Sequence, residues 1–384
     1  METIKLNSGS EFKTNPWFVN EYPILRTIKY SGNKIRLLPA IVSIAKLTVD
    51  GGSVLDLMAG THCVGYALKN HFRIYANDIQ RYSYVIGKAF VENGGYSVNG
   101  DLAKRELLDS IKKNRISGEF NLFQKLYSDT YFSAVQCMEI DDIRAAIEKV
   151  PSPRKELYLT ILMSSMCYAS NTTGHFAEFL HNQQSSARSV QELFFRKCEN
   201  LSVEPNKYSN AVFNLDYTSF LSGEEHELSE IVEKCDLIYL DPPYSSAQYS
   251  RFYHILETLV RYDYPLVEHN GRYRKDRYFS NFCRKSKAKS ELEFLLGRCS
   301  SVTSGFVLLS YVDSSSSLIP KNDVVDIVKN HFEFSTEPII CKISHSKLGN
   351  GTAKKVEEYL ILATNSKARE RIVRKLDSCC LGLR

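Results

Sequence analysis

Two consecutive prolines follow the apolar run CDLIYL, in Asp241-Pro242-Pro243-Tyr244. Proline has no amide hydrogen and a fixed φ, so neither a strand ladder nor a helix continues through such a pair. A strand over 235–241 must therefore end there. The chain leaves it in a rigid turn that holds Asp241 and Tyr244 at the carboxyl edge of a sheet. The turn offers a carboxylate acceptor, the Pro242 carbonyl and an aromatic face. Such a set suits a planar group bearing an NH2: two acceptors for its hydrogens and one ring for stacking. Transfer chemistry on an exocyclic amine needs these features. The plainer alternative is a structural loop with a capping aspartate.

A second segment sets the fold class. SVLDLM is an apolar run ending in the small-residue turn AGTHCVG, followed by a short helix in YALKNHF and a second strand in RIYAND. Strand, helix, strand predicts a βαβ unit and a parallel sheet with its ligand at the strands' carboxyl ends. Asp56 and Asp78, 22 residues apart, close the two strands. The small residues Ala59 and Gly60 let a ligand approach the backbone, and an acid at Asp78 can bind a ribose hydroxyl. The turn is not GxGxxG, because His62 stands where a second glycine would be expected.

Residues 101–204 read as mostly helical, over DLAKRELLDSIKK, FSAVQCMEIDDIRAAIEKV and KELYLTILMSSMCYAS, with Pro151 and Pro153 between the last two. A polar stretch from Asn171 to Ser189 follows. Strand signals return at 211–216, 235–241 and 305–312, and 337–364 predicts a hairpin around Gly349-Asn350-Gly351. The economical reading is one α/β domain, residues 1–100 and 205–384, interrupted by an inserted helical module at 101–204. Residues 1–28 read as an irregular arm.

The net charge of +5 is unevenly placed: residues 272–289 carry +7 and the rest of the chain −2. Concentrated positive charge predicts contact with a polyanion. Arg272, Arg274, Lys275, Arg277, Arg284 and Lys285 are the candidate phosphate contacts, interleaved with Tyr273, Tyr278, Phe279 and Phe282, which can stack or wedge. A solvated loop is the alternative. Asn171, Thr172, Thr173 and His175 are candidates for base or phosphate contact, since Asn pairs with adenine edges. The ten cysteines show no CxxC pair and no zinc spacing, so no metal is expected. No apolar run has membrane length and the N-terminus has no secretory apolar core, so the expectation is a cytoplasmic protein without a membrane partner.

KYSGNK (29–34), DLMAGTHCVG, Asp78, a long insert and then DPPY together resemble the bacterial adenine-specific DNA methyltransferases of the Dam-like (D12) class, over roughly residues 22–364. LYLTILMSSMCYASNTTGHF and ISHSKLGNGTAKKVEEYLIL resemble further segments of that class. Met58, where Phe is commoner, and His62 depart from its pattern. The resemblance implies a Rossmann-like class I methyltransferase sheet with an inserted, mainly helical target-recognition module. It implies methylation of adenine N6 in double-stranded DNA, with S-adenosylmethionine as cofactor. Tyr30 and Lys34 would hold that cofactor, with Lys34 near its methionine end. Asp56 and the Ala59–Gly60 backbone would line the methionine side, Asp78 would bind the ribose, and Asp216 would sit near the adenine. Asp241 and the Pro242 carbonyl would accept from the target amine, Pro243 would stiffen the turn, and Tyr244 would stack on the extruded base. Pairing with a restriction endonuclease follows from family habit, and a monomer would suffice. Two other readings stay open: transfer to a different amine, such as cytosine N4 or RNA adenine, and a non-catalytic DNA-binding subunit. Cytosine-ring methylation is disfavoured, as no Pro-Cys dipeptide occurs to present a nucleophile.

Overall fold

A computed structural model describes residues 4–5, 11–12, 22–180, 188–199, 201–222, 226–344 and 355–381. Its centre is a sheet of eight strands: β1 (Ser53–Asp56), β2 (Arg73–Asn77), β3 (Ala211–Phe213), β4 (Leu237–Leu240), β5 (Phe306–Asp313), β6 (Phe334–Ser335), β7 (Ile339–Ser344) and β8 (Lys355–Thr364). They lie in the order β6-β8-β5-β4-β1-β2-β3, with β7 also paired to β8. The five strands from β5 to β3 are parallel, and β8 enters antiparallel. From β1 the chain steps outward to β2 and β3, then returns to the other flank with β4. The order therefore reverses between β1 and β4, where an open α/β sheet leaves its ligand crevice. The sequence expectation of a mixed α/β domain with a mostly parallel sheet holds.

Strand periodicity explains why this sheet is covered on both faces. Val54, Leu237, Tyr239 and Leu308 join one buried cluster, while Leu55, Ile238, Leu240 and Val307 join the other. The β4 ladder stops at Leu240, immediately before the proline pair. Helix Leu38–Thr48, with Pro39 in its first turn, packs against helix Cys63–Leu68.

The helical block runs from Gly100–Ser117 through Leu122–Tyr127, Ala134–Ile147 and Arg154–Ala169 to Val190–Cys198. Short strands Tyr96–Val98 and Leu201–Val203 pair antiparallel at its base and bring its two ends together. Its apolar residues, Leu107, Ile111, Leu157 and Leu162 among them, share a buried cluster with Ile255, Leu256 and Leu259 from the region after DPPY. The block's helices pack on one another and on that later region in one continuous core. The Gly349-Asn350-Gly351 turn, most of the 1–28 arm and part of the polar stretch after Asn171 lie outside the described residues. Among the described residues, no helix is long and apolar enough to cross a membrane, and no group of three or more His, Cys, Asp or Glu could hold a metal ion.

Candidate active site

A cleft partly open to solvent lies over the carboxyl ends of β1, β2 and β4. Tyr30, Lys34, Asp56, Ala59, Gly60, Asp78, Asp241, Pro242, Pro243 and Tyr244, all singled out in sequence, line it together. Residues far apart in the chain meet here because the strands ending in Asp56 and Leu240 are neighbours.

At one end of the cleft, the Asp78 carboxylate accepts from the backbone amides of Gly60 (2.8 Å) and Gln80 (2.8 Å). It fixes the turn after β1, and each oxygen keeps a lone pair for a hydroxyl donor. Burial pushes its carboxyl up to about 6. Gly60 has a φ of +54°, and the Tyr30 ring stands 3.4 Å from where a Cβ would project. A side chain there would be strained by that backbone conformation, while a Cβ would meet Tyr30 at ordinary contact distance. Asp56 is buried, and its Oδ2 has no hydrogen-bond partner. Burial first, and Asp241 second, raise its carboxyl to about 8. An unmet carboxyl oxygen in a cleft fits a cationic group of a ligand.

At the other end, Lys34 Nζ lies 2.9 Å from Asp241 Oδ1 and 3.5 Å from Glu358 Oε2, and donates to the Gly32 carbonyl (3.1 Å). Burial raises the Asp241 carboxyl to about 6, Lys34 opposes that rise, and Glu358 adds to it. Lys34 is therefore committed to the DPPY aspartate, which the sequence reading did not anticipate. Tyr244 meets Tyr311 edge to face at 6.4 Å, and its carbonyl accepts from Leu318 N (2.8 Å).

Three residues in or directly behind this cleft were not singled out in sequence. Asn77 donates to the carbonyls of Leu57 (3.3 Å) and Leu215 (3.0 Å) and accepts from Leu215 N (3.0 Å), binding the ends of β1, β2 and β3 together. Tyr253 stacks on Tyr30 at 4.6 Å and its hydroxyl accepts from Ser31 N, so it positions the KYSGNK segment. Tyr249 completes that aromatic wall at 5.4 Å from Tyr30. The i, i+4 spacing of Tyr249 and Tyr253 was the available signal.

The remaining candidates have the following partners within the chain. Asp216 does not line the cleft: its side chain accepts from Thr218 N (2.9 Å) and Oγ1 (2.6 Å), as helix caps do, and its neighbours Leu215 and Tyr217 face the ligand space instead. Arg274 is 1% exposed and forms ion pairs with Asp263 (2.6 Å) and Asp276 (3.0 Å). Arg277 pairs with Glu268, and Arg272 donates to the Leu126 carbonyl. These three arginines hold the loop, whereas Lys275, Arg284 and Lys285 are exposed. Asn171 is buried and donates to the Leu180 carbonyl (2.7 Å), closing its own loop. Thr172 meets Ser170 (3.0 Å), Thr173 is exposed, and His175 stacks on Phe252 at 4.2 Å.

His62 in the first turn is fully buried, with φ +58° and Nε2 3.2 Å from Ser83 Oγ. Burial lowers its imidazole to about 4, so it stays neutral and packs behind the turn rather than facing the ligand.

A family model described as D12 class N6 adenine-specific DNA methyltransferase matches residues 30–304. Modification methylase StsI of Streptococcus sanguinis is 28% identical over 352 residues, covering 86% of this chain and 50% of the relative. Modification methylase LlaI of Lactococcus lactis subsp. lactis is 28% identical, covering 87% and 54%. Type II methyltransferase M.CviAII of Paramecium bursaria Chlorella virus 1 is 28% identical, covering 88% and 98%. The chain spans about half the length of the first two relatives and nearly all of the third.

Proposed function

The chain belongs to the D12 class of N6 adenine-specific DNA methyltransferases, and from that premise we propose that it methylates N6 of an adenine turned out of double-stranded DNA. The observation that carries this reading is one cleft with two chemically distinct ends. Asp56, Gly60 and Asp78 suit a cofactor that carries both a cationic group and a ribose. Asp241, Pro242 and Tyr244 suit a planar amine. S-adenosylmethionine fits the first end: Asp56 Oδ2 would meet its ammonium, Asp78 a ribose hydroxyl, and the bare Gly60 backbone would allow close approach. When bound, it supplies an electrophilic methyl group on sulfur.

The residues then act by position. With Asp241 Oδ1 turned to Lys34, Oδ2 is the oxygen an incoming amine meets. One amine hydrogen goes to Oδ2 and the other to the Pro242 carbonyl. These bonds draw the N6 lone pair out of the purine ring and aim it at the methyl carbon. The proton that N6 must shed on methylation would pass to the Asp241 carboxylate and on to water. Alignment and charge placement carry the catalysis, with no covalent enzyme intermediate. A paired base cannot reach this cleft, so it must leave the stack at a cost of a few kcal/mol. Tyr244 provides the face that receives it.

Exposed Lys275, Arg284 and Lys285 carry phosphate contact in this reading, and the helical block with Thr173 and His175 lies on the DNA side as the recognition element. The relatives named as modification methylases support a modification role; a partner restriction endonuclease, cytoplasmic DNA as substrate and a monomer for each transfer complete the proposal. Labelled S-adenosylmethionine with unmethylated bacterial DNA, followed by nucleoside analysis, tests the assignment. N6-methyladenine should appear, and Asp241→Ala should abolish it while still binding cofactor. Label in cytosine, in RNA alone, or nowhere would refute it.

A further inference from the structure

Glu358 is a carboxylate in the interior of a sheet. It sits on β8, between Val312 of β5 and Cys341 of β7, and is 2% exposed. Its neighbour Tyr359 joins the buried cluster on one face of the sheet and Leu360 the cluster on the other. Strand alternation sends Glu358 to the face shared by Leu360, Leu308 and Tyr239. That face meets Lys34, whose Nζ is 3.5 Å from Oε2. A carboxylate in such a place costs desolvation free energy, which a paired cation offsets.

We propose that Glu358 is a positioning residue that shares the Lys34 ammonium with Asp241 and thereby sets how strongly the Asp241 carboxylate accepts a hydrogen bond from the substrate amine. This rests on the methyltransferase reading above. A lysine bound to Asp241 alone would draw electron density from it and leave a poor acceptor. With a second carboxylate on the same ammonium, Asp241 stays ionised yet basic enough to take both the hydrogen bond and the departing proton. The other titratable groups around Asp241 are Asp56 from β1, Tyr239 from β4, Tyr244 from the turn and Tyr249 from the following helix. Lys34 is the cation in contact with Asp241, and Glu358 is a second carboxylate in contact with that cation.

The sign is fixed by geometry: a negative charge near Asp241 raises its carboxyl, so removing that charge lowers it. In Glu358→Gln, the titration midpoint of the Asp241 carboxyl should fall by about one pH unit. It is read by 13C NMR of the full chain with labelled aspartate, the resonance being assigned by its loss in Asp241→Asn. The acid limb of kcat should move the same way, while cofactor affinity stays within about twofold. Should Glu358→Gln not fold, Glu358→Asp withdraws the charge by one methylene and should shift the midpoint downward by less. An unmoved midpoint in either folded variant overturns the inference. The titration reads the coupling whether or not DNA is methylated, so an inactive wild-type protein would overturn the functional reading alone.

Discussion

Lys34 and Asp241 form a desolvated ion pair, with Nζ 2.9 Å from Oδ1 and side-chain exposures of 5% and 22%. The contact ties the segment ahead of the sheet to the turn that ends β4. The segment holding Lys34 and the turn holding Asp241 are therefore one electrostatic unit. Lys34 keeps Asp241 ionised against a burial that would otherwise protonate it.

Replacing Lys34 by Met should strand the Asp241 and Glu358 carboxylates without their cation. Loss of one partner of a buried pair costs about 3–5 kcal/mol, so urea midpoints should fall accordingly. The Asp241 carboxyl should rise above its present value of about 6, because its counter-charge is gone. The activity that survives should then require higher pH than wild type. Arg at this position should not restore it, since a planar guanidinium does not fit a site built for a point charge. An acid limb of kcat that stays near its wild-type pH would contradict the pairing.

The turn after β1 predicts a second sensitivity. A Cβ at Gly87 would overlap the buried His62 imidazole, whose Nε2 lies 3.2 Å from Ser83 Oγ. Ser83 Oγ in turn donates to the Gly60 carbonyl at 2.6 Å. Gly87→Ala should therefore cost about 1–3 kcal/mol through overpacking. It should also weaken cofactor binding by displacing Gly60, with little change in DNA affinity. Calorimetric titration with cofactor, beside a filter-binding measurement on DNA, separates the two effects.

The cations after DPPY divide into two sets with opposite expected behaviour. Arg274→Ala should cost about 1–3 kcal/mol of stability, because a buried side chain and its hydrogen bonds are lost, while Asp263 and Asp276 are partly exposed and keep Arg261. Arg284→Ala and Lys285→Ala, on exposed side chains, should leave stability within about 0.5 kcal/mol. Each should reduce the slope of log K against log salt for DNA by about one. If Arg284→Ala and Lys285→Ala both leave that slope unchanged, DNA lies elsewhere on the surface.

This division shows what was legible in the chain. The DPPY turn and the βαβ unit were readable because their causes are local: proline lacks an amide hydrogen, and strand and helix have different periods. The partners of charged residues were not. The basic window was counted with Asp276 alone, while Asp263 and Glu268, which engage Arg274 and Arg277, lie just upstream of it. Glu358 met Lys34 only through the pairing of β8 with β5, a contact no local pattern encodes. Asp216 and Asn171 looked like ligand contacts but satisfy their own backbone, a competition that Asp and Asn side chains commonly win.

Asp56 carries the last prediction, on stability against pH. Its carboxyl stands at about 8 in the folded protein against an ordinary 3.8. Between those values the folded chain holds a proton that the unfolded chain has released. Stability from this group is therefore complete below about 3.8 and is lost as pH rises through about 8. Asp78 and Asp241, each near 6, add losses of the same sign that finish earlier. The cofactor-free protein should thus lose melting temperature steadily from pH 5 to 8.5. Asp56→Asn cannot ionise and should flatten that slope above about pH 6.5, where Asp56 alone contributes, and reduce it by about a third below, where Asp78 and Asp241 still contribute. Saturating S-adenosylmethionine should flatten the same region in wild type, since an ammonium beside Oδ2 favours the ionised carboxyl. Thermal melts across the pH series, for both proteins and with and without cofactor, check all three statements. A melting temperature that falls equally above pH 6.5 in wild type and Asp56→Asn would show that Asp56 is already ionised in the empty cleft and does not await a cation.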